Sequence, residues 1–202
     1  MSGVPILVDG TGLRVLIVGG GPVAARKVAA FLQAGARVRV VAPQATESIR
    51  ALVGSTQVEW LARAYEPADL GDAQLVIAAT DDRAVNAKVA ADARAVHRLV
   101  NVADAPDEGS FTMLAVHRSG SLVVGVSAGG VPGAAARIRD AIARRFDARY
   151  ASALELLGTL RRDSLARGDA KSWRDLSSGV IDEEFCDSVE RGTIDRRVST
   201  WR

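Results

Sequence analysis

Hydrophobic positions in the first half of the chain follow two alternating patterns. Short runs rich in β-branched residues lie at 14–18, 38–41, 58–60, 75–79 and 99–102. Runs of this length are typical of strands buried on both faces of a parallel sheet. Stretches with helical spacing separate several of them, at residues 22–34, 45–53 and 83–95. This alternation predicts an α/β fold, a Rossmann-like doubly wound parallel sheet with right-handed crossovers.

The pattern changes after residue 110. Strand-like runs at 111–116 and 122–127 flank a turn signal at 118–120, which predicts a hairpin. The chain from residue 131 is mostly helical in spacing, and residues 191–202 are predicted to form a loose tail. We therefore predict three domains: a nucleotide-binding sheet domain over 1–110, a segment of strands plus a helix over 111–148, and a helical C-terminal domain over 149–202.

A glycine-rich turn joins the first predicted strand to the first predicted helix. Residues 19–24, GGGPVA, fit the pattern G-x-G-x-x-[GA]. In such a turn Gly19 permits the tight bend, Gly21 lets a pyrophosphate approach the backbone, and Ala24 allows close helix–strand packing. The helix N-terminus adds free N–H groups for the phosphates. A turn that binds nothing is the alternative, but the strand–turn–helix context favours dinucleotide binding.

The acid that usually follows this motif is absent. About 20 residues on, such an acid would hold the ribose hydroxyls. Here the second strand ends in Val41-Ala42-Pro43, with no arginine directly after it to suit a 2′-phosphate. The sequence therefore leaves NAD and NADP open at this site, with main-chain groups near Ala42 as an alternative for holding the ribose.

Polar residues follow two further predicted strands. Thr80-Asp81-Asp82 comes after the fourth strand, with Asn86 one helical turn along, and Asn101 lies near the end of the fifth. Ligands of open parallel sheets bind outside the carboxyl ends of the strands, so we expect both places to face the cofactor. Helix capping at 80–82 and turn formation at Asn101 are the alternatives.

Asp104 emerges just after the fifth strand. Pro106 and Gly109 follow, so this carboxylate has no helix to cap. A carboxylate at the lip of an apolar cleft is suited to accept a proton, which makes Asp104 the candidate catalytic base, with a turn role as the alternative. The sequence contains no Ser–His–Asp order and no paired Cys–His set that would compete with it.

Composition narrows the classes of function. Net charge is only +2, so no nucleic-acid partner is predicted. No apolar run reaches the ~20 residues that span a bilayer, and no signal peptide is evident, so we expect a cytoplasmic protein without membrane contact. Cys186 is the single cysteine, and His97 and His117 lie far apart, so neither a disulfide nor a metal site is predicted.

Basic residues are almost all arginine: 23 of the 26, with Lys27, Lys88 and Lys171 as the exceptions. Arginine suits carboxylate and phosphate recognition. A genome-wide base composition that favours arginine codons explains the excess better, since Ala and Gly are abundant too.

Four stretches carry a resemblance to a known family. In order they read VLIVGGGPVAARKV, VIAATDDRAVN, NVADAPDEGSF and VGVSAGG, the last followed by an arginine-bearing helix. They resemble the precorrin-2 dehydrogenases, some of which also insert iron and are called sirohydrochlorin ferrochelatases. These proteins occur alone or as the N-terminal part of a fused sirohaem synthase. The resemblance covers residues 5 to about 145.

The resemblance implies dehydrogenation of precorrin-2, an acidic tetrapyrrole, to sirohydrochlorin with NAD as hydride acceptor. It also implies a homodimer through residues 111–148 and, in some members, Fe²⁺ as a further substrate. Asp104 matches the family's acid in N-x-x-D-x-P, to which proton transfer is attributed. With the motifs above, the predicted cofactor site comprises Gly19, Gly21, Pro22, Val23, Ala42, Pro43, Thr80, Asp81, Asp82, Asn101 and Val102. The predicted substrate site comprises Ser127, Gly129, Gly130 and Arg137.

Two departures from the family pattern stand out. Many members have Ser-Ser-Gly-Gly where this chain has Ser127-Ala128-Gly129-Gly130, so any function that needs a hydroxyl at 128 is absent. The 202 residues also hold no methyltransferase module, so we expect another protein to make the precursor.

Two other functions compete with the dehydrogenase. A non-catalytic NAD-sensing regulatory module would need no base at the fifth strand end. An ordinary alcohol or hydroxy-acid dehydrogenase is less favoured, because no Ser-Tyr-Lys set or catalytic His–Asp pair is evident.

Overall fold

The computed structural model describes residues 3–199. The chain divides into two compact units, one ending at Met113 and the other beginning at Leu114. The finer division into domains 1–110, 111–148 and 149–202 stays a prediction.

Five parallel strands form the sheet of the first unit, as predicted. They are β1 (Arg14–Val18), β2 (Arg37–Val41), β3 (Val58–Leu61), β4 (Leu75–Ala78) and β5 (Leu99–Val102). Their order across the sheet is β3-β2-β1-β4-β5. The order reverses between β1 and β4, and this switch point is where open α/β sheets bind ligands at their carboxyl ends.

Helices cover both faces of this sheet: α1 (Pro22–Gln33), α2 (Glu47–Arg50) and α3 (Arg83–Ala95). Side chains of alternate strand residues pack on opposite sides. Ile17 and Ile77 lie in a core with Val28 of α1, whereas Val76 and Val100 lie in another with Val89 of α3. Burial of each such side chain contributes roughly 1.5–3 kcal/mol.

Two predictions for these helices are wrong in detail. The helix predicted over 45–53 shortens to α2, four residues long. The helical spacing of α1 predicts an apolar face of Val23, Val28, Phe31 and Leu32, but Val23 is 38% exposed and Ala24 takes the buried position instead.

The predicted hairpin exists, but its first strand is displaced along the chain. It pairs β6 (Ala115–Ser119) with β7 (Leu122–Val126) in antiparallel register. Phe111 and Met113, assigned by their apolarity to this strand, instead pack against the core of the first unit. The turn is tight, with Gly120 at φ +57°.

Among the described residues, five helices complete the second unit: α4 (Pro132–Arg145), α5 (Ala148–Ala166), α6 (Ala170–Val180), α7 (Phe185–Glu190) and α8 (Ile194–Ser199). Their core contains Tyr150 and Leu157. The loose tail predicted over 191–202 is wrong for α8, because Ile194 and Val198 are buried in the same core. Residues 200–202 lie outside the described residues. Between residues 3 and 199, no helix has the length and apolarity needed to cross a bilayer.

Candidate functional site

A cleft of about 740 Å³ opens at the carboxyl ends of β1, β2 and β4, at the switch point of the sheet. This volume is in the range usual for small-molecule sites. Eight of the predicted cofactor residues line it: Gly19, Gly21, Pro22, Ala42, Pro43, Thr80, Asp81 and Asp82.

The three glycines after β1 serve different purposes. Gly19 has φ +128°, and a Cβ there would lie 2.3 Å from the Ala79 carbonyl oxygen. A Cβ on Gly20 would lie 1.9 Å from the Gln44 carbonyl oxygen. A Cβ on Gly21 would meet nothing within 4 Å. The fold itself therefore requires glycine at 19 and 20, whereas the open space at Gly21 is what a closely approaching ligand needs.

Helix α1 presents its N-terminus to this cleft. Gly21 is the N-cap, Pro22 stands in the first turn, and no side chain caps the helix. The first N–H groups of a helix have no partners within it, so an anion in the cleft would be held by them and by the helix dipole.

At the end of β2, the main-chain groups that were expected to hold the ribose already have hydrogen-bond partners within the fold. The Ala42 N–H donates to the Leu61 carbonyl at 3.2 Å, and the Ala42 carbonyl accepts from the Trp60 indole at 3.0 Å. Both main-chain groups of Ala42 are therefore already bonded within the fold. Gln44, which sequence reasoning missed, lies in the cleft lining with a polar side chain. Its place three residues past the strand is the signal that could have found it.

Thr80 and Asp82 shape the loop after β4. The Asp82 carboxylate caps α3 by accepting from the N–H groups of Ala84 and Val85, at 2.8 and 3.2 Å. The Thr80 hydroxyl oxygen accepts from the Asp82 N–H at 3.2 Å. The capping alternative is therefore realised by Asp82, and the same loop still lines the cleft.

Asn86 ties this loop to Asp104. It is fully buried on α3, and its Oδ1 accepts from the Thr80 hydroxyl at 2.7 Å and the Thr80 N–H at 3.1 Å. Its Nδ2 donates to the Thr80 carbonyl at 3.0 Å and to Asp104 Oδ1 at 2.9 Å. The amide thereby connects the cofactor loop to the candidate base, a link that sequence spacing alone did not reveal.

Asp104 occupies a polar setting instead of the expected apolar lip. Its side chain is 37% exposed, and Oδ2 lies 3.7 Å from Arg83 Nε. Arg83 also pairs with Glu108, which is the main cause of its raised pKa, with Asp104 adding a smaller charge effect. The structure therefore orients this carboxylate through Asn86 and Arg83.

Three predicted cofactor residues lie outside the cleft lining: Val23, Asn101 and Val102. Val102 is buried in the core on the α3 side. The Asn101 amide accepts from Lys27 Nζ at 2.7 Å and donates to the Phe111 carbonyl at 3.0 Å. Cofactor contact by these three residues stays a prediction.

The predicted substrate residues of the second unit fall on one loop and the helix after it. Ser127, Gly129 and Gly130 lie between β7 and α4, and the two glycines have φ +56° and +84°. Arg137 is exposed on α4. Within residues 3–199 it makes no ion pair, whereas the neighbouring Arg139 pairs with Asp140.

Residues 3–199 contain no cluster of three or more His, Cys, Asp or Glu side chains able to hold a metal ion.

Replacing Asn86 by alanine is expected to lower the free energy of unfolding by about 2–3 kcal/mol. The change leaves the partly buried Thr80 N–H without its acceptor and removes a packed side chain. Urea denaturation measures the loss. The control Gln57→Ala, at an exposed side chain, should stay within about 0.5 kcal/mol of the unchanged protein. Equal stability of the two variants would contradict the importance of this network.

Comparison with known sequences gives three findings. Residues 6–115 match the family model described as "Putative NAD(P)-binding". The chain is 35% identical over 190 residues to a siroheme synthase of Saccharophagus degradans, covering 91% of this chain and 42% of that protein. It is 34% identical over 196 residues to a siroheme synthase of Methylobacillus flagellatus, covering 94% and 42%.

Among solved structures, the chain resembles one titled "SirC, precorrin-2 dehydrogenase". The TM-score is 0.80 at 26% identity, and the match covers 98% of each chain. The chain spans less than half the length of the curated siroheme synthases that it matches. These findings confirm the resemblance carried by the four sequence motifs. The chain belongs to the precorrin-2 dehydrogenase family, with residues 6–115 as its NAD(P)-binding part.

Proposed function

We propose that the chain catalyses the NAD-dependent dehydrogenation of precorrin-2 to sirohydrochlorin in sirohaem biosynthesis. The observation that carries the proposal is the bond from Asn86 to Asp104, which fixes a carboxylate beside the loop that lines the cofactor cleft. Likeness to a precorrin-2 dehydrogenase over 98% of both chains supports the same reaction.

The cleft suits a dinucleotide. The open space at Gly21 and the free N–H groups of α1 would hold the pyrophosphate. The Gln44 side chain, next to Ala42 and Pro43 in the lining, would contact the adenosine ribose, and the Thr80–Asp82 loop would contact the other half of the dinucleotide. When bound, NAD⁺ supplies the hydride acceptor.

Asp104 completes the chemistry as the proton acceptor. Dehydrogenation removes a hydride and a proton from the substrate, so a base must take the proton. Asn86 orients the carboxylate through Oδ1, which leaves Oδ2 for the proton. Because the side chain is 37% exposed, the proton can pass on to solvent after each turnover.

The second unit supplies groups suited to an acidic tetrapyrrole. We propose that Ser127, Gly129 and Gly130 contact the substrate and that Arg137 binds one of its carboxylates. Arg137 is exposed and makes no ion pair among residues 3–199, which leaves its guanidinium available for a bidentate contact.

Iron insertion is the second candidate activity. Inserting Fe²⁺ into sirohydrochlorin displaces two pyrrolic protons, and an exposed, oriented carboxylate is available to accept them in turn. This activity would make Fe²⁺ a substrate and Asp104 a shared base for both reactions.

We also propose a homodimer through residues 111–148. Large apolar side chains are exposed in this segment, among them Val116, Val131 and Ile138. Such side chains are typical of an interface when they lie together on one surface. The cytoplasmic location predicted from the sequence stays a prediction.

Incubating the protein with precorrin-2 and NAD⁺ tests the proposed reaction. Absorbance should report NADH and sirohydrochlorin forming in equal amounts, and Fe²⁺ added after the NAD⁺ is consumed should give sirohaem if the second activity is present. Protein that binds NAD⁺ and never reduces it would favour the NAD-sensing regulatory module instead.

A further inference from the structure

Lys27 on α1 is a half-buried lysine without an acidic partner. Its Nζ donates to Asn101 Oδ1 at 2.7 Å and lies 3.7 Å from the sulfur of Met113. Across residues 3–199, no Asp or Glu forms an ion pair with it. An ammonium has three N–H donors, so these two contacts leave one donor unused.

Keeping this charge inside the fold is unfavourable unless something compensates it. Burial lowers the pKa of Lys27, and the positive charge of Arg26 lowers it further. A neutral amide oxygen and a thioether offset only part of the desolvation of an ammonium. A bound anion would supply the negative charge that the fold itself does not place beside the Lys27 ammonium.

The choice of lysine is also unusual for this chain, in which 23 of 26 basic residues are arginine. Lys88 is exposed and pairs with Asp92, and Lys171 is exposed. Lys27 alone combines partial burial with the lack of an acidic partner. Lysine provides a compact point charge beside Asn101.

Lys27 lies close to the carboxyl end of β5, where the reaction is proposed to take place. Asn101, which holds it, belongs to β5 and precedes Asp104 by three residues. Asn101 bonds toward α1, whereas Asp104 bonds to Asn86 of α3. The ammonium and the carboxylate therefore flank the carboxyl end of β5 from its two faces.

We propose that the Lys27 ammonium, held by Asn101, binds a carboxylate of the acidic substrate. The inference rests on the proposed function, which supplies a substrate with many carboxylates. The other anion at hand is the pyrophosphate of NAD⁺. The substrate is favoured because Lys27 lies outside the lining of the cofactor cleft. Lys27 is thus a binding residue and takes no part in proton transfer.

Substitutions at residue 27 distinguish binding of a substrate carboxylate from binding of the NAD⁺ pyrophosphate. Lys27→Met keeps most of the side chain and removes the charge, so we expect KM for precorrin-2 and Kd for sirohydrochlorin to rise at least about tenfold, as for one lost charge-assisted hydrogen bond. The kcat and the Kd for NAD⁺ should change less than about twofold. Lys27→Arg retains the charge and should recover most of the sirohydrochlorin affinity. Lys88→Met, which removes an exposed charge, should match the unchanged protein.

Several outcomes would overturn the inference. Unchanged sirohydrochlorin affinity in Lys27→Met, with a lower melting temperature, would make Lys27 a structural tie between α1 and β5. A selective loss of NAD⁺ affinity would assign the anion to the cofactor. Equal losses in Lys27→Arg and Lys27→Met would exclude charge as the cause. Failure of the unsubstituted protein to bind sirohydrochlorin or reduce NAD⁺ would instead reject the proposed function.

Discussion

Replacing Asp104 by asparagine is expected to lower kcat for precorrin-2 dehydrogenation by about 10²–10⁴-fold, the range that general-base catalysis supplies. Asparagine has nearly the same shape, and its amide oxygen can still accept the bond from Asn86. The change therefore removes the proton acceptor and leaves the loop in place. Stopped-flow absorbance of NADH measures kcat, and fluorescence titration should give a Kd for NAD⁺ within about twofold of the original.

Asp107→Asn is the matched control for that experiment. Asp107 is exposed in the same loop and forms no ion pair in the part of the chain that the structure describes. Turnover of this variant should equal that of the unchanged protein. If Asp104→Asn also kept full turnover, Asp104 would have no place in the mechanism.

Replacing Gly21 by alanine is expected to weaken NAD⁺ binding by about 100-fold or more, while the protein stays folded. A Cβ at this position meets no protein atom within 4 Å, so the fold can accept it. The methyl group would instead occupy the space through which a pyrophosphate approaches the backbone. Isothermal titration with NAD⁺ measures the loss, and circular dichroism checks the fold.

Two further glycine variants serve as controls. Gly133→Ala adds a methyl group in open space on α4 and should leave NAD⁺ affinity unchanged. Gly20→Ala should instead destabilise the fold, because its Cβ would lie 1.9 Å from the Gln44 carbonyl oxygen. Normal NAD⁺ affinity in Gly21→Ala would remove the glycine turn from the cofactor site.

Much of the fold of the first unit could be predicted because the sequence patterns that specify its strands are local. Each apolar run is short enough for one strand, and the burial of Val76 and Val100 on the α3 side of the sheet follows from their places in such runs. The cleft was also predictable, since the carboxyl ends of parallel strands must meet at one edge. The positions of Gly19 and Asp82 follow from that rule.

Other features depend on contacts distant in sequence. Phe111 and Met113 are apolar enough for either unit, and only tertiary packing places them in the core of the first. The polar surroundings of Asp104 come from Arg83 and Asn86, which are 21 and 18 residues away. No spacing rule connects a strand end to the first turn of the preceding helix, so the sequence suggested an apolar lip.

The Asn86 amide uses both of its hydrogens and accepts twice, from the two donors of Thr80. A flipped amide would place an oxygen against the Thr80 carbonyl and nitrogen against the Thr80 N–H, so its orientation is fixed. Asp104 Oδ1 consequently always faces a hydrogen. Oδ2, on the side of Arg83, is therefore the Asp104 oxygen whose lone pairs no hydrogen bond from Asn86 occupies.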